Sequence, residues 1–286
     1  MNTRKSTKTA LIIGLVYLLG VSLPSWAIMD RGHQNARHHF KILRHQRLDG
    51  LLFNYRENAH SSPDPEESAT PSAAMRFQAY GKQFELDMES NEQLLAHLPR
   101  EQRKRLKQSM QLYKGRLNGV KASWVRVNRT GNRITGAFWD GHELYILDNS
   151  DQVSKNIDTT SSVEAVTKPY NLVYKLADTQ ENAQCAVEAQ PVANSSATTL
   201  VNELQAQAQT LAQAAKQLDL SIVTDAEFTQ ANSANPQAAV MARMNVVDGI
   251  YSEQVGVHLN ISEIRPLTSN GGLVSTSANG LLDQFA

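Results

Sequence analysis

Leu112 to Leu147 constrains the fold more than any other stretch, because short runs of β-branched and aromatic residues are cut there by glycines at hairpin spacing. Trp124-Val125-Arg126-Val127, Ile134 to Trp139 and Leu144 to Leu147 read as strands, and Gly119, Gly131 and Gly141 fall where a tight hairpin needs positive φ. A meander of three or more strands is expected. Upstream, Phe77, Ala79, Phe84, Leu86 and Met88 alternate around Tyr80-Gly81-Lys82, the period-two signature of an opening hairpin. Asn91 to Tyr113 reads as helix, with Leu94, Leu95 and Leu98 apolar, an interruption at Pro99 and a basic turn from Arg100 to Lys107. Leu172 to Leu176 is one more short strand.

The pattern changes after residue 190. Pro191 to Ser196 reads as a linker and Thr198 to Gln217 as an amphipathic helix with Leu200, Leu204, Leu211 and Ala215 on its stripe. Leu218 to Thr224 is a strand, Asn235 caps a helix with Pro236 in its first turn, and Val255 to Ile264 alternates as a second strand. Strand, helix and strand at this spacing form a βαβ unit, hence a parallel pair. A further helix is expected over Ser275 to Phe285. Two strands with one covering helix cannot bury both faces of a parallel sheet, so this part reads as cut short.

With 286 residues there is room for roughly two domains, and 41% hydrophobic content suffices for real cores. Lys+Arg and Asp+Glu number 28 each, which removes a global field that would attract nucleic acid. Residues 1–27 carry Arg4, Lys5 and Lys8, an apolar run from Ala10 to Val21 and the small-x-small end Ser25-Trp26-Ala27. That is the form of a signal peptide, and the apolar run is shorter than the roughly 20 residues of a membrane span, so the expected product is exported (extracellular or periplasmic) with no stable span after cleavage. Arg31 to Leu48 reads as a basic solvated leader, and the Pro, Ser and acidic residues from His60 to Ala74 as a linker.

Chemistry-bearing motifs are few. His142-Glu143 begins like H-E-x-x-H, but Ile146 stands at the fifth position and the segment reads as strand, so it is not taken as a metal site. Catalytic and metal-ligating residues are therefore none. The single cysteine, Cys185, has no partner in its own chain and is either an inert thiol, a mixed-disulfide partner or a metal ligand.

Several segments together resemble the precursors of reprolysin-type (adamalysin, ADAM-like) zinc metallopeptidases of the metzincin clan. Phe84-Glu-Leu-Asp-Met88 with Asn91 and Leu94-Leu95, Tyr113-Lys-Gly115-Arg-Leu-Asn-Gly119, Ser123-Trp-Val125, Gly136 and Tyr145-Ile146 are similar to the propeptide. Leu172-Val-Tyr174-Lys-Leu176 and Cys185-Ala-Val187 look like its end. Leu220 to Asp225, Ala242 to Ile250 and Ile261-Ser-Glu263-Ile264 resemble the first strand, helix and second strand of the peptidase domain. The resemblance implies zinc as cofactor and makes Cys185 a regulatory cysteine-switch candidate, a thiolate that would occupy the zinc of a complete peptidase domain. It also implies protein or peptide substrates once such a domain is supplied. The zinc motif H-E-x-x-H-x-x-G-x-x-H is absent, so the chain is expected to be inactive alone.

The expected architecture is α+β: a mainly-β propeptide-like domain followed by an incomplete α/β metzincin-type domain. Residues 1–27 are the signal peptide, 28–74 leader and linker, 75–190 the β-rich domain, 191–217 linker and helix, and 218–286 the truncated peptidase part. Two functional readings stand beside each other: an exported metallopeptidase precursor, and a secreted propeptide-like binding or inhibitory module acting in trans on a cognate metallopeptidase. An unrelated exported β-protein is the third and blandest.

Overall fold

The computed structural model describes residues 40–56, 72–158, 168–181 and 216–272, with positions 280 and 284. The expected signal peptide, Cys185, the 191–196 linker and nearly all of the Thr198–Gln217 and Ser275–Phe285 helices lie outside these residues. Thirteen strands form three sheets among the described residues. They are β1 (Phe40–Ile42), β2 (Gln46–Arg47), β3 (Leu52–Arg56), β4 (Ser72–Ala79), β5 (Lys82–Ser90), β6 (Gln111–Leu117), β7 (Trp124–Thr130), β8 (Arg133–Trp139), β9 (Leu144–Asn149), β10 (Asn171–Lys175), β11 (Thr179–Glu181), β12 (Lys216–Thr224) and β13 (Val257–Pro266).

Nine of them make one antiparallel sheet in the order β2-β10-β9-β8-β7-β6-β5-β4-β3. The meander read from the glycines is present, with φ of 76° at Gly119, 60° at Gly131 and 94° at Gly141. The β4–β5 hairpin closes at Tyr80-Gly81, whose φ values of 53° and 71° define a two-residue loop of the type that matches strand twist.

The sheet curls into a half-barrel, and ring contacts prove it. Phe84 on β5 lies 5.1 Å from Tyr145 on β9, and Phe77 on β4 lies 5.9 Å from Phe138 on β8. Each pair is four strands apart, about 19 Å in a flat sheet at the usual strand spacing. The curl therefore encloses an inner layer of Met75, Phe77, Phe84, Leu86, Val125, Val127, Phe138 and Tyr145.

The outer face is covered by the second half of the chain. β12 and β13 pair in parallel, Leu218 beside Leu259 and Ile222 beside Ile264, as the βαβ spacing requires. Helices α1 (Arg100–Ser109), α2 (Ala226–Ala231) and α3 (Pro236–Ile250) complete the layer. Asn235 caps α3 by accepting from the Ala238 N–H at 3.0 Å, with Pro236 just inside the helix. Helix α3 is sandwiched between the half-barrel and β12–β13. Its Met241, Met244, Val246 and Val247 share one core with Trp124, Trp139, Ile146 and Tyr174 of the large sheet and Leu220, Leu259, Ile261 and Ile264 of the small one. The β12–β13 pair, which reads as unsupported in sequence, thus covers one face with a helix that the half-barrel backs.

Several boundaries differ from expectation. The leader is not simply solvated, since β1, β2 and β3 join the fold and Ile42 is fully buried. Only isolated residues such as Ile42 and Leu48 are buried there, between exposed Lys41, Leu43, Arg44 and Arg47, so no apolar period marks the strands in the sequence. Ser72 to Ala74 belong to β4, so the 28–74 leader and linker region contains folded strands. Asn91 to Tyr113 is a 3-10 turn (Glu92–Leu95) and α1, after which Gln111 to Tyr113 enter β6, because Tyr113 packs into the barrel. Lys216 and Gln217 start β12 rather than end a helix, and Val255 closes a π turn (Tyr251–Val255) before β13 begins.

Candidate functional site

Polar residues buried without a reason of their own locate the site, and here they gather where α3 crosses β7. Asn245 of α3 is the hub. Its amide nitrogen donates to Asn128 Oδ1 at 2.9 Å and to the backbone oxygens of Tyr113 and Val127 at 3.2 Å, while its oxygen accepts from Asn91 Nδ2 at 2.8 Å. Asn128 Nδ2 in turn donates to the Ala242 carbonyl at 3.1 Å. Asn91, Asn128 and Asn245 are all buried. A side chain that satisfies strand carbonyls inside a core fixes the helix in one register, because a slip would strand several polar groups without partners.

One turn further along, Asp248 meets Arg126. Arg126 Nε and Nη2 both donate to Asp248 Oδ2 at 3.3 Å, and Nη2 donates to Ser252 Oγ at 2.8 Å. Asp248 Oδ1 accepts from the Leu259 N–H at 3.2 Å, so the same carboxylate ties β7 to β13. Gly249 makes the approach possible. A Cβ there would sit 2.5 Å from Arg126 Cγ and 3.1 Å from Trp124 Cζ3. At the rim, Arg116 and Glu253 pair at 3.2 Å in partial solvent. The Gln102 side chain of α1 donates to the Ile264 carbonyl and accepts from its N–H, occupying the outer edge of β13 as a neighbouring strand would.

A second set of charges lies nearby. Arg243 packs over the Phe228 ring at 4.8 Å, and burial lowers its guanidinium to a pKa of about 10 against the opposing pull of the Asp148 carboxylate. Burial first and Asp148 second push the Tyr174 phenol well above its ordinary range.

These groups hold; they are not arranged to catalyse. Ser252, His258 and Asp248 are the residue types of a hydrolytic triad, and His258 Nδ1 does lie 3.8 Å from Asp248 Oδ1. Yet Ser252 Oγ accepts from a guanidinium and donates to the Gly249 carbonyl, so its proton is not aimed at an imidazole. His142 and Glu143 lie in the turn between β8 and β9, where their backbone N–H groups donate to Asp140. Among the described residues no group of three or more His, Cys, Asp or Glu is placed to hold a metal ion, so the described residues do not fit the zinc that the resemblance implies. Among them too, no helix is long and apolar enough to cross a membrane. Sequence reading passed over Arg126, Asn128, Asn245 and Asp248. The available signal was a charge and an amide inside an otherwise apolar strand, W-V-R-V-N, and an N-x-x-D-G step within an apolar helix.

Fold and site together define a mainly-β chain: a half-barrel that grips, through buried polar side chains, the helix of a parallel βαβ unit. No protein-family model matches the chain, and no curated protein matches it.

Proposed function

We propose that this chain is the leading part of an exported reprolysin-like zinc metallopeptidase precursor, in which the half-barrel is the pro-module and β12-α3-β13 begins a metzincin-type α/β domain. The observation that carries this reading is the buried contact of Arg126, Asn128 and Asn91 with Asp248 and Asn245, which makes one part of the chain a holder of the other. A parallel βαβ unit whose helix is already covered supports it, since such units need cover on their faces to be stable. In this reading the chain alone does not cleave peptides, and Cys185 is the thiolate that would close the zinc of a complete domain. The second reading, a binding module that inhibits a zinc peptidase in trans, rests on the same gripping surface. Purified chain is assayed with zinc on casein, and separately as an inhibitor of a reprolysin-type peptidase, with Cys185→Ser alongside. Chelator-sensitive cleavage by the chain alone would overturn the inactive-precursor reading. Inhibition that Cys185→Ser leaves unchanged would remove the thiol from the mechanism.

A further inference from the structure

We infer that the outer face of β5 to β8 is a helix receptor, and that its ligand is an amphipathic helix presenting Asn, Asp-Gly and Ser at spacings i, i+3/i+4 and i+7. In this chain the ligand is Asn245, Asp248-Gly249 and Ser252, and the biological role of the receptor rests on the pro-module reading. The recognition is read from described residues.

Three features separate a receptor from ordinary packing. First, every polar position of the helix stripe has a dedicated partner: Asn245 the Asn91–Asn128 pair and two strand carbonyls, Asp248 the Arg126 guanidinium, Ser252 the same guanidinium. A helix with apolar residues there would leave the Arg126 guanidinium buried without a counter-charge and would remove the Asn245 amide that Asn91 and Asn128 bond, so the sheet rejects it as well as preferring the right one. Second, Gly249 is read by exclusion, because Trp124 and the Arg126 stem fill the space that any Cβ would need. Third, the receptor face is rigid. Trp124, Arg126 and Asn128 stand on a central strand paired on both sides, Arg126 opposite Lys114 and Ala137. The hydrogen bonds named here are all made by described residues on either side of the 182–215 stretch, and none of them is a bond of Cys185. The grip should therefore survive a cut in the chain between the two parts, and hold without the thiol.

The test keeps the full chain. A site-specific protease sequence is placed between residues 190 and 197, the purified protein is cut under native conditions, and the parts are run on size exclusion over a dilution series. Tryptophan emission is read in parallel, since Trp124 is covered by α3 at Gly249. The expected result is co-elution of the wild-type parts at micromolar concentration with blue-shifted emission, and the same from Cys185→Ser. Asn245→Ala/Asp248→Ala should weaken the association by about 100-fold or more, as loss of buried hydrogen-bonded partners does. Glu263→Gln, exposed on β13 and outside the contact, should change it by less than about threefold. Should the double variant fail to fold uncut, Asp248→Asn decides, with weaker association in a correctly sized uncut protein expected. Separation of the wild-type parts at micromolar concentration, or retention of the Asn245/Asp248 or Asp248→Asn variants as tight as wild type, overturns the receptor. Neither outcome depends on peptidase activity, so the precursor reading can fail while the receptor stands.

Discussion

Arg126 of β7 and Asp248 of α3 form an ion pair at 3.3 Å with side chains only 3% and 6% exposed, joining residues 122 positions apart in sequence. Two buried charges at this distance are costly to desolvate, and they are held because each is also bonded elsewhere: Arg126 to Ser252 and the Val125 carbonyl, Asp248 to the Leu259 N–H. Their value is in placing the helix, and only secondarily in stability.

Removing one partner should therefore hurt more than removing both. Arg126→Met or Asp248→Leu alone is expected to destabilise by about 3–5 kcal/mol, the cost of an uncompensated buried charge. The double substitution should recover much of that loss. Urea unfolding of the three variants checks it, and a double variant as unstable as the sum of the singles would show that the two side chains are not energetically coupled and refute the pairing argument.

Gly249→Ala tests the close approach. Helix propensity alone would favour alanine by about 1 kcal/mol. The new Cβ collides with Arg126 Cγ and the Trp124 ring, so a net loss of about 1–3 kcal/mol is expected. Thermal unfolding that rises instead would mean that the helix sits farther from β7.

Ile42 tests whether the basic leader is part of the fold. It is fully buried in the outer core, and its carbonyl accepts from the Asp158 N–H at 3.0 Å. Ile42→Ala should cost about 2–5 kcal/mol, whereas Leu43→Ala, half exposed, should cost little. Equal effects in denaturant melts would return the leader to solvent.

Asp140 gives the acid limb of stability. Burial alone would raise its carboxyl, but the Glu143 and His142 N–H groups and Lys82 outweigh it and hold the group below its usual range. A carboxylate with a lowered folded pKa adds stability that is fully present above its unfolded value of about 3.9 and is lost as pH falls through the folded value. Asp140→Asn should lose about 1 kcal/mol at neutral pH and flatten stability against pH below about 4. An unchanged acid limb, followed by fluorescence in a pH series, would refute the assignment.

Sequence by itself determined the local grammar. Period-two runs and glycines at Gly119, Gly131 and Gly141 set the meander, Asn235-Pro236 set the start of α3, and the βαβ spacing set the parallel pairing of β12 with β13, because turn dihedrals, caps and crossover handedness are decided within a few residues. Tertiary structure decided the rest. That the sheet curls until Phe84 meets Tyr145, that β2 leaves the leader to join it beside β10, and that Asn245 finds Asn91 and Asn128 all depend on partners 61 or more residues away. A polar residue in an apolar run carries no mark of whether its partner exists. Only the packed chain supplies the carbonyls and the guanidinium that make burying Asn245 and Asp248 favourable, which is why the site was invisible until the helix lay on the sheet.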